Sequence, residues 1–199
     1  MNGVRRLLGV GMMAVLAAGA VAPASATTLV RESLDELVAG NRTVVVGEVV
    51  DARSYWNEDG TFILTDLRIA PSEFLKGGRF HRGGEFTVTL MGGSVGDLTT
   101  LIIGSAELIP GRAYVLFLNE ESLPGTKALT VRDLAQGAFD LVMTKDGLRA
   151  ISQANRHPLV PDAKGYVDAP GGVEGLPFEA MVQTVREIAG RQVNPREVQ

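Results

Sequence analysis

Cysteine is absent from this sequence of 199 residues. Its absence excludes disulfide bonds, thiolate metal sites, a cysteine nucleophile and lipid anchoring through an N-terminal cysteine. The hydrophobic core alone must therefore hold the fold together. Histidine is also rare, since only His81 and His157 occur, and they show none of the spacings that bind zinc. We therefore predict no metal site and no cofactor.

An excess of positive charge is also absent. The chain has 19 basic and 23 acidic residues, a formal net charge of −4. Nucleic-acid binding needs a basic surface that neutralises phosphates, so we predict no nucleic-acid partner. The densest basic cluster, residues 76–82, is interrupted by glycines. We interpret it as a solvated loop.

The first 26 residues have the three parts of a secretory signal peptide. Arg5 and Arg6 supply the positive start, residues 7–21 are apolar, and a small-residue cleavage motif ends at Ala26. Pro23 interrupts the apolar run before it reaches the about 20 residues that span a bilayer. We expect cleavage after Ala26, a secreted or periplasmic location, and no membrane span in the mature chain.

Several segments have the pattern of β-strands. Residues 43–53 are rich in valine and predict a long first strand, in which Gly47 indicates a bulge or a bend. Residues 85–90 alternate between apolar and polar, as in a half-buried antiparallel strand. Residues 114–118 are apolar on both faces and predict a central strand. Further strands are predicted at residues 62–69, 98–103, 129–132, 139–143 and 148–151, with Pro71 either ending the second strand or placing it at an edge.

Helices are predicted near both ends of the mature chain. Ser33 and Glu36 form a capping box, which predicts a short helix over residues 34–39, terminated by Gly40 at the C′ position. Pro177 opens a second helix with one apolar face, and Gly190 is expected to end it.

The predicted fold class is mainly β, an antiparallel OB-like barrel, closed or nearly closed, with a short N-terminal helix and a C-terminal amphipathic helix. We expect a signal peptide over residues 1–26, a single domain over residues 27–190 and a polar tail over residues 191–199. Within the domain, residues 152–175 are rich in proline, glycine and aspartate and predict either a long surface loop or an ordered segment that wraps around the domain. We expect a monomer.

Five segments carry a resemblance to known proteins: SLDELV at 33–38, VVVGEV at 44–49, EFLKG at 73–77, FTV at 86–88 and PGRAYVLFL at 110–118. Their order resembles a group of exported bacterial proteins of unknown function that look like OB-fold barrels. The first-strand and FLKG patterns are also similar to the OB-fold domain of tissue inhibitors of metalloproteinases. Those inhibitors chelate the protease zinc through an N-terminal cysteine. The mature chain here would begin at Thr27, so that mechanism does not carry over.

Residues 92–96, GGSVG, match the nucleophile motif of α/β hydrolases, and Asp140 and His157 follow Ser94 in the corresponding order. That motif requires a strand that runs into a helix, whereas residues 97–103 are strand-like. The sequence also lacks the alternating strand and helix pattern of a parallel sheet. We therefore interpret the motif as a loop and keep a small serine hydrolase as the alternative function.

The main hypothesis is a non-catalytic exported domain that binds an unknown protein of the cell envelope or the extracellular space. OB barrels bind along their second and third strands and the adjoining loops, here residues 53–60, 76–84 and 92–97. The sole tryptophan, Trp56, is either a binding anchor or a cap on the open end of the barrel. An accessory or inhibitor domain for a secreted protease is a further alternative that rests on fold analogy. The candidate binding residues are Tyr55, Trp56, Lys76, Arg79, His81 and Ser94.

Overall fold

A computed structural model of the chain describes residues 31–78, 84–156 and 172–193. The predicted signal segment, most of the loop over residues 152–175 and the end of the predicted tail lie outside the described residues. Arg79, His81 and His157 lie outside them as well.

Two helices and ten strands form the described structure. The helices are α1 (Leu34–Gly40) and α2 (Phe178–Val193). The strands are β1 (Thr43–Trp56), β2 (Ile63–Lys76), β3 (Phe86–Met91), β4 (Gly93–Val95), β5 (Leu98–Thr100), β6 (Ala113–Leu123), β7 (Thr126–Val131), β8 (Ala138–Thr144), β9 (Gly147–Ser152) and β10 (Leu176–Pro177). Short 3-10 turns lie at Leu134–Gly137, Gln153–Arg156 and Gly172–Glu174. Neither helix has the length and apolar character needed to cross a bilayer.

The main sheet is antiparallel throughout, with the order β10-β9-β8-β6-β1-β2-β3. Strand β6 is its centre: one edge pairs with β1, and the other is shared by β8 and β7. Strands β4 and β5 form a separate hairpin. The prediction of a mainly β, antiparallel fold with one helix near each end is confirmed.

The main sheet curls but does not close. Strand β3 lies against β7, yet no backbone ladder joins these two strands in the part of the chain that the structure describes. Ala106 and Leu108, which belong to no strand, are buried in the same cluster as Phe86 of β3 and Val131 of β7. An irregular segment thus supplies part of the cover that a closing strand would provide. Of the two predicted forms, a closed or a nearly closed barrel, the closed form is not found among the described strands.

Both faces of the sheet are buried along the first half of β6, which explains why residues 113–118 of this central strand are apolar. On β6, Tyr114, Leu116 and Leu118 point into the core inside the curled sheet. Val115 and Phe117 point to the opposite face, which α1 and α2 cover. The prediction that residues 114–118 are central is confirmed, since all five are almost completely buried.

The bulge predicted at Gly47 is present. The register between β1 and β2 shifts between Val46 and Gly47, and Gly47 pairs with Pro71 on one side and Tyr114 on the other. A Cβ at Gly47 would lie 2.9 Å from the carbonyl oxygen of Ala70 and 2.9 Å from Cγ2 of Ile69. Glycine is needed here because two strands approach too closely for any side chain.

Strand β2 is longer than its sequence pattern predicts, because Pro71 does not end it. Strand β3 pairs only with residues 64–69 of β2, so Pro71 lies on an edge that lacks a ladder partner among the described strands. The edge alternative for Pro71 is therefore confirmed. The prediction that Lys76 lies in a solvated loop is wrong: it is the half-buried last residue of β2, and its ammonium donates to the carbonyl of Val38 in α1.

The capping box of α1 is confirmed. The amide of Ser33 donates to Oε2 of Glu36 at 2.7 Å, and the amide of Glu36 donates to Oγ of Ser33 at 3.3 Å. Helix α2 begins directly after Pro177, but the prediction that Gly190 ends it is wrong, because the helix continues to Val193. Gly190 is exposed, and a glycine there costs only about 1 kcal/mol relative to alanine.

Candidate functional site

An apolar groove of about 540 Å³ opens between the main sheet and the irregular segment that follows β5. Residues 101–108 of that segment form one side and are called the wall segment below. The sheet side includes Ala52 of β1, Leu67 of β2 and Leu90 of β3. This volume lies within the range of sites that hold small molecules in other proteins.

The groove exists because the inner face of the sheet carries small residues at this end. Ala52 pairs directly with Leu67, and Ser54 pairs with Thr65. The hydroxyls of Ser54 and Thr65 are 2.8 Å apart, and Thr65 donates to the carbonyl of Gly92 at 2.7 Å. The side chains here are short and hydrogen-bonded to each other, so they leave open the space that larger apolar residues fill deeper in the core.

The wall segment is fixed from behind by a buried glutamine. Oε1 of Gln153 accepts from the amide of Glu107 at 2.8 Å, and Nε2 of Gln153 donates to the carbonyl of Glu107 at 2.9 Å. One side-chain amide thus pairs with both backbone groups of a residue, as a neighbouring strand would. Gln153 is almost completely buried, and its remaining amide hydrogen is donated to Oδ1 of Asp140 at 3.0 Å.

A second attachment of the wall segment comes from a strained turn. Asp133 and Leu134 have φ angles of 54° and 59°, a left-handed conformation that costs residues other than glycine about 1–3 kcal/mol each. This turn presents the amide of Ala135 to the carbonyl of Gly104 at 2.8 Å. Such strain persists only where the surrounding structure holds it, and it is concentrated near functional sites.

Large apolar side chains are exposed along and beside this fixed backbone. Leu98, Leu101 and Ile103 are 60%, 81% and 87% exposed. The sequence has no charged residue between Asp97 and Glu107. Clustered exposed apolar side chains usually mark an interaction site, because exposing them to water is unfavourable.

The polar end of the groove is built around Arg156. Its guanidinium binds the Asp140 carboxylate through Nη2 and Oε2 of Glu107 through Nη1, the latter at 3.1 Å. The two carboxylates differ in exposure, since the Asp140 side chain is 11% exposed and the Glu107 side chain 68%. Asp140 therefore anchors Arg156 from the protein interior, while Glu107 approaches it from the solvent side.

The structure places Ser94 in the β4–β5 hairpin, away from any helix start. Ser94 pairs with Thr99, and their hydroxyl oxygens are 2.8 Å apart. A strand–turn–strand geometry does not provide the strand-to-helix turn that a hydrolase nucleophile requires. Asp140, the acidic residue of the alternative triad, is engaged by Arg156 and Gln153.

Tyr55 and Trp56 lie at the end of β1. The Tyr55 hydroxyl donates to Oδ1 of Asp66 at 3.1 Å, and Thr89 donates to the same oxygen at 2.7 Å. Burial and the nearby Asp66 charge raise the pKa of Tyr55. Trp56 is 39% exposed, so its role as a binding anchor stays a hypothesis.

Lys76 is the last residue of β2, whereas Thr65 and Leu67, which line the groove, lie in the first half of that strand. Burial lowers the pKa of its ammonium. Its hydrogen bond to Val38 satisfies a carbonyl near the end of α1, which indicates a structural role.

The sequence prediction and the structure agree only in part on the site. None of the described candidate residues lines the groove, although Gly92 and Gly93 of the predicted loop 92–97 do. Gln153 and Arg156 were not predicted, because their partners are remote in sequence. The available signal was the uncharged, aliphatic run over residues 98–106, which strand propensity explained equally well.

Within the described ranges, no group of three or more acidic or histidine side chains is arranged to hold a metal ion. Comparison with known families found no family model that matches the chain, and a search of curated proteins found no match.

Proposed function

We propose that this chain is an exported, non-catalytic binding domain whose binding site is the apolar groove. The observation that carries the proposal is the wall segment, a fixed backbone that presents exposed Leu101 and Ile103 beside an open apolar groove. A fixed, preformed apolar site binds with a smaller loss of conformational entropy than a flexible one.

The composition of the groove favours binding over catalysis. Among the described residues that line it, the charged ones are Glu107 and Arg156, and these are paired with each other. A general acid or base needs a carboxylate, imidazole or similar group available to the substrate. The neighbouring side chains are mainly aliphatic, with a few hydroxyl groups.

The strand arrangement supports an OB-like barrel. Strands β1, β2 and β3 form a meander, β6 pairs with the free edge of β1, and β7 pairs with β6 and lies against β3. A five-stranded, partly open barrel with this order is the OB arrangement, whose ligands bind at the second and third strands. The groove uses residues of both β2 and β3.

The signal-like first 26 residues support export. Mass spectrometry of the exported protein is expected to find Thr27 as the first residue. An exported protein that retains residues 1–26 would contradict this part of the proposal.

Binding is tested with the uncharged apolar dye N-phenylnaphthylamine, whose fluorescence rises in apolar surroundings. Ala52 is exposed and lines the groove, so Ala52→Phe places a ring in the groove without disturbing the core. Ala180→Phe is the matched control, because Ala180 is an exposed alanine on α2. We expect saturable binding to the wild-type protein, about tenfold weaker binding to Ala52→Phe, and wild-type binding to Ala180→Phe. Absence of saturable binding, or equal binding by all three proteins, would overturn the proposal.

A further inference from the structure

We infer that the groove takes a small amphipathic carboxylic acid, with its apolar chain along the wall segment and its carboxylate on Arg156. This inference rests on the proposed binding function and adds the chemical class of the ligand.

The shape and lining of the groove fit the apolar part of such a ligand. Leu67 and Leu90 line the groove on the sheet side, and Leu101 and Ile102 line it on the side of the wall segment. The volume of about 540 Å³ is that of a small-molecule site and is too small for a folded partner to enter. An alkyl or aryl chain would replace water along both walls, and the gain grows with each methylene that is buried.

Arg156 supplies the charge complementarity. Asp140 holds its guanidinium from the buried side, and Gln153 in turn holds Asp140 through the 3.0 Å hydrogen bond to Oδ1. A guanidinium has five N–H donors, and the two carboxylates in the structure use Nη1 and Nη2. Arg156 therefore keeps N–H groups that can donate to a ligand, and Asp140 already holds its guanidinium in place.

Glu107 occupies the position that the ligand carboxylate would take. Its side chain is 68% exposed, and an exposed ion pair of this kind contributes little to stability. Glu107 can therefore rotate into solvent and let a ligand carboxylate bind Nη1 of Arg156 in its place. An arginine anchored on one side and open on the other suits a carboxylate, because its N–H groups match the two oxygens.

The other polar groups at this end do not compete for the head group. The amide nitrogen of Gln153 already donates to Glu107 and to Asp140, and its oxygen accepts from the Glu107 amide. Among the described residues that line the groove, Arg156 is the cation. A cationic head group would have Glu107 as its partner, and the experiment includes this case.

The experiment measures binding of octanoate, octanol and octylamine to the purified protein by isothermal titration calorimetry. The three probes share one alkyl chain and differ in head group. We expect octanoate to bind about tenfold more tightly than octanol, and octylamine to bind no better than octanol. Displacement of N-phenylnaphthylamine by each probe reports whether it enters the groove.

Two variants have opposite expected effects. Glu107→Gln removes the competing carboxylate, so octanoate should bind several-fold more tightly while octanol is unchanged. Arg156→Gln should reduce octanoate binding to the level of octanol. Arg156→Lys keeps a cation beside Asp140, and it should retain part of the octanoate preference if Arg156→Gln proves poorly folded by circular dichroism.

The outcomes separate this inference from the proposed function. If octanol displaces the dye as well as octanoate does, and Glu107→Gln changes neither affinity, the carboxylate inference is overturned while the apolar groove stands. If octylamine binds best, Glu107 is the anchor and the inference is also overturned. If neither the dye nor any probe binds, the proposed function itself fails.

Discussion

At the scale of single residues, the stability of this protein depends on a few positions where adding or removing one side-chain group would disturb the packing. Gly47 is such a position, because β2 approaches its backbone too closely for a side chain. Tyr114 is another, because its ring is buried in the core while its hydroxyl accepts from the Ile109 amide at 2.9 Å. Each can be changed alone with a defined physical expectation.

Gly47→Val is expected to lower the free energy of unfolding by about 1–3 kcal/mol, because the new side chain meets Ala70 and Ile69. The midpoint of urea unfolding should fall accordingly. Gly190→Ala, in the exposed part of α2, serves as the control and should raise stability by about 0.5–1 kcal/mol. An unchanged midpoint for Gly47→Val would mean that the bulge at Gly47 tolerates a side chain.

Tyr114 predicts how stability changes at alkaline pH. Burial raises the pKa of Tyr114 above the ordinary tyrosine value of 10.0, so above that pH the unfolded chain loses a proton that the folded protein keeps. Stability should therefore fall as the pH rises beyond 10.0, through the raised pKa of the folded state. The unfolding free energy, measured with urea at a series of pH values, should fall less steeply in Tyr114→Phe. The difference in slope corresponds to at most one bound proton. An equally steep fall in both proteins would refute the assignment to Tyr114.

At the scale of elements, the position of the wall segment is determined by contacts with residues that are remote in sequence. Gln153 is 46 positions away from Glu107, and it replaces a neighbouring strand with one side chain. The wall segment should therefore loosen around Glu107 if this amide is removed, while the hydrogen bond from Ala135 to Gly104 and the main sheet remain intact.

Gln153→Ala tests this dependence. Leaving the part-buried backbone groups of Glu107 without their side-chain partner should lower stability by about 1–3 kcal/mol. The Glu107 amide should exchange its hydrogen much faster than in the wild-type protein, whereas amides at the centre of β6 keep their relative protection. Both can be followed by hydrogen exchange in NMR spectra. Unchanged protection of the Glu107 amide would show that the wall segment is held by other contacts.

Local patterns predicted the elements that local physics determines. The capping box at Ser33, the bulge at Gly47 and the two-faced burial of β6 each follow from neighbouring residues or from the period of a strand. Lys76 was misplaced because its aliphatic stem lets a basic residue lie half-buried at a strand end. The partners of Gln153 and Arg156 depend on tertiary contacts, which no local pattern encodes.

At the scale of the whole molecule, the fold buries the sheet unequally on its two sides. Helices α1 and α2 cover one face completely enough to form a continuous core. On the other face, the sheet curls so that side chains of its own strands pack against each other. Ala106 and Leu108 of the wall segment complete this core. Because β3 and β7 lie together without a ladder, the groove can remain open at this end while the core behind it stays packed.

The central claim is that ligands bind in the groove. Trp56, at the end of β1, is the competing site. An NMR titration of methyl-labelled protein with N-phenylnaphthylamine compares the two directly. We predict saturable shifts of the Leu90, Leu101 and Ile103 methyl resonances, with the Trp56 indole resonance unchanged. Shifts of the Trp56 indole with unchanged groove methyls would contradict the account and place binding at the tryptophan.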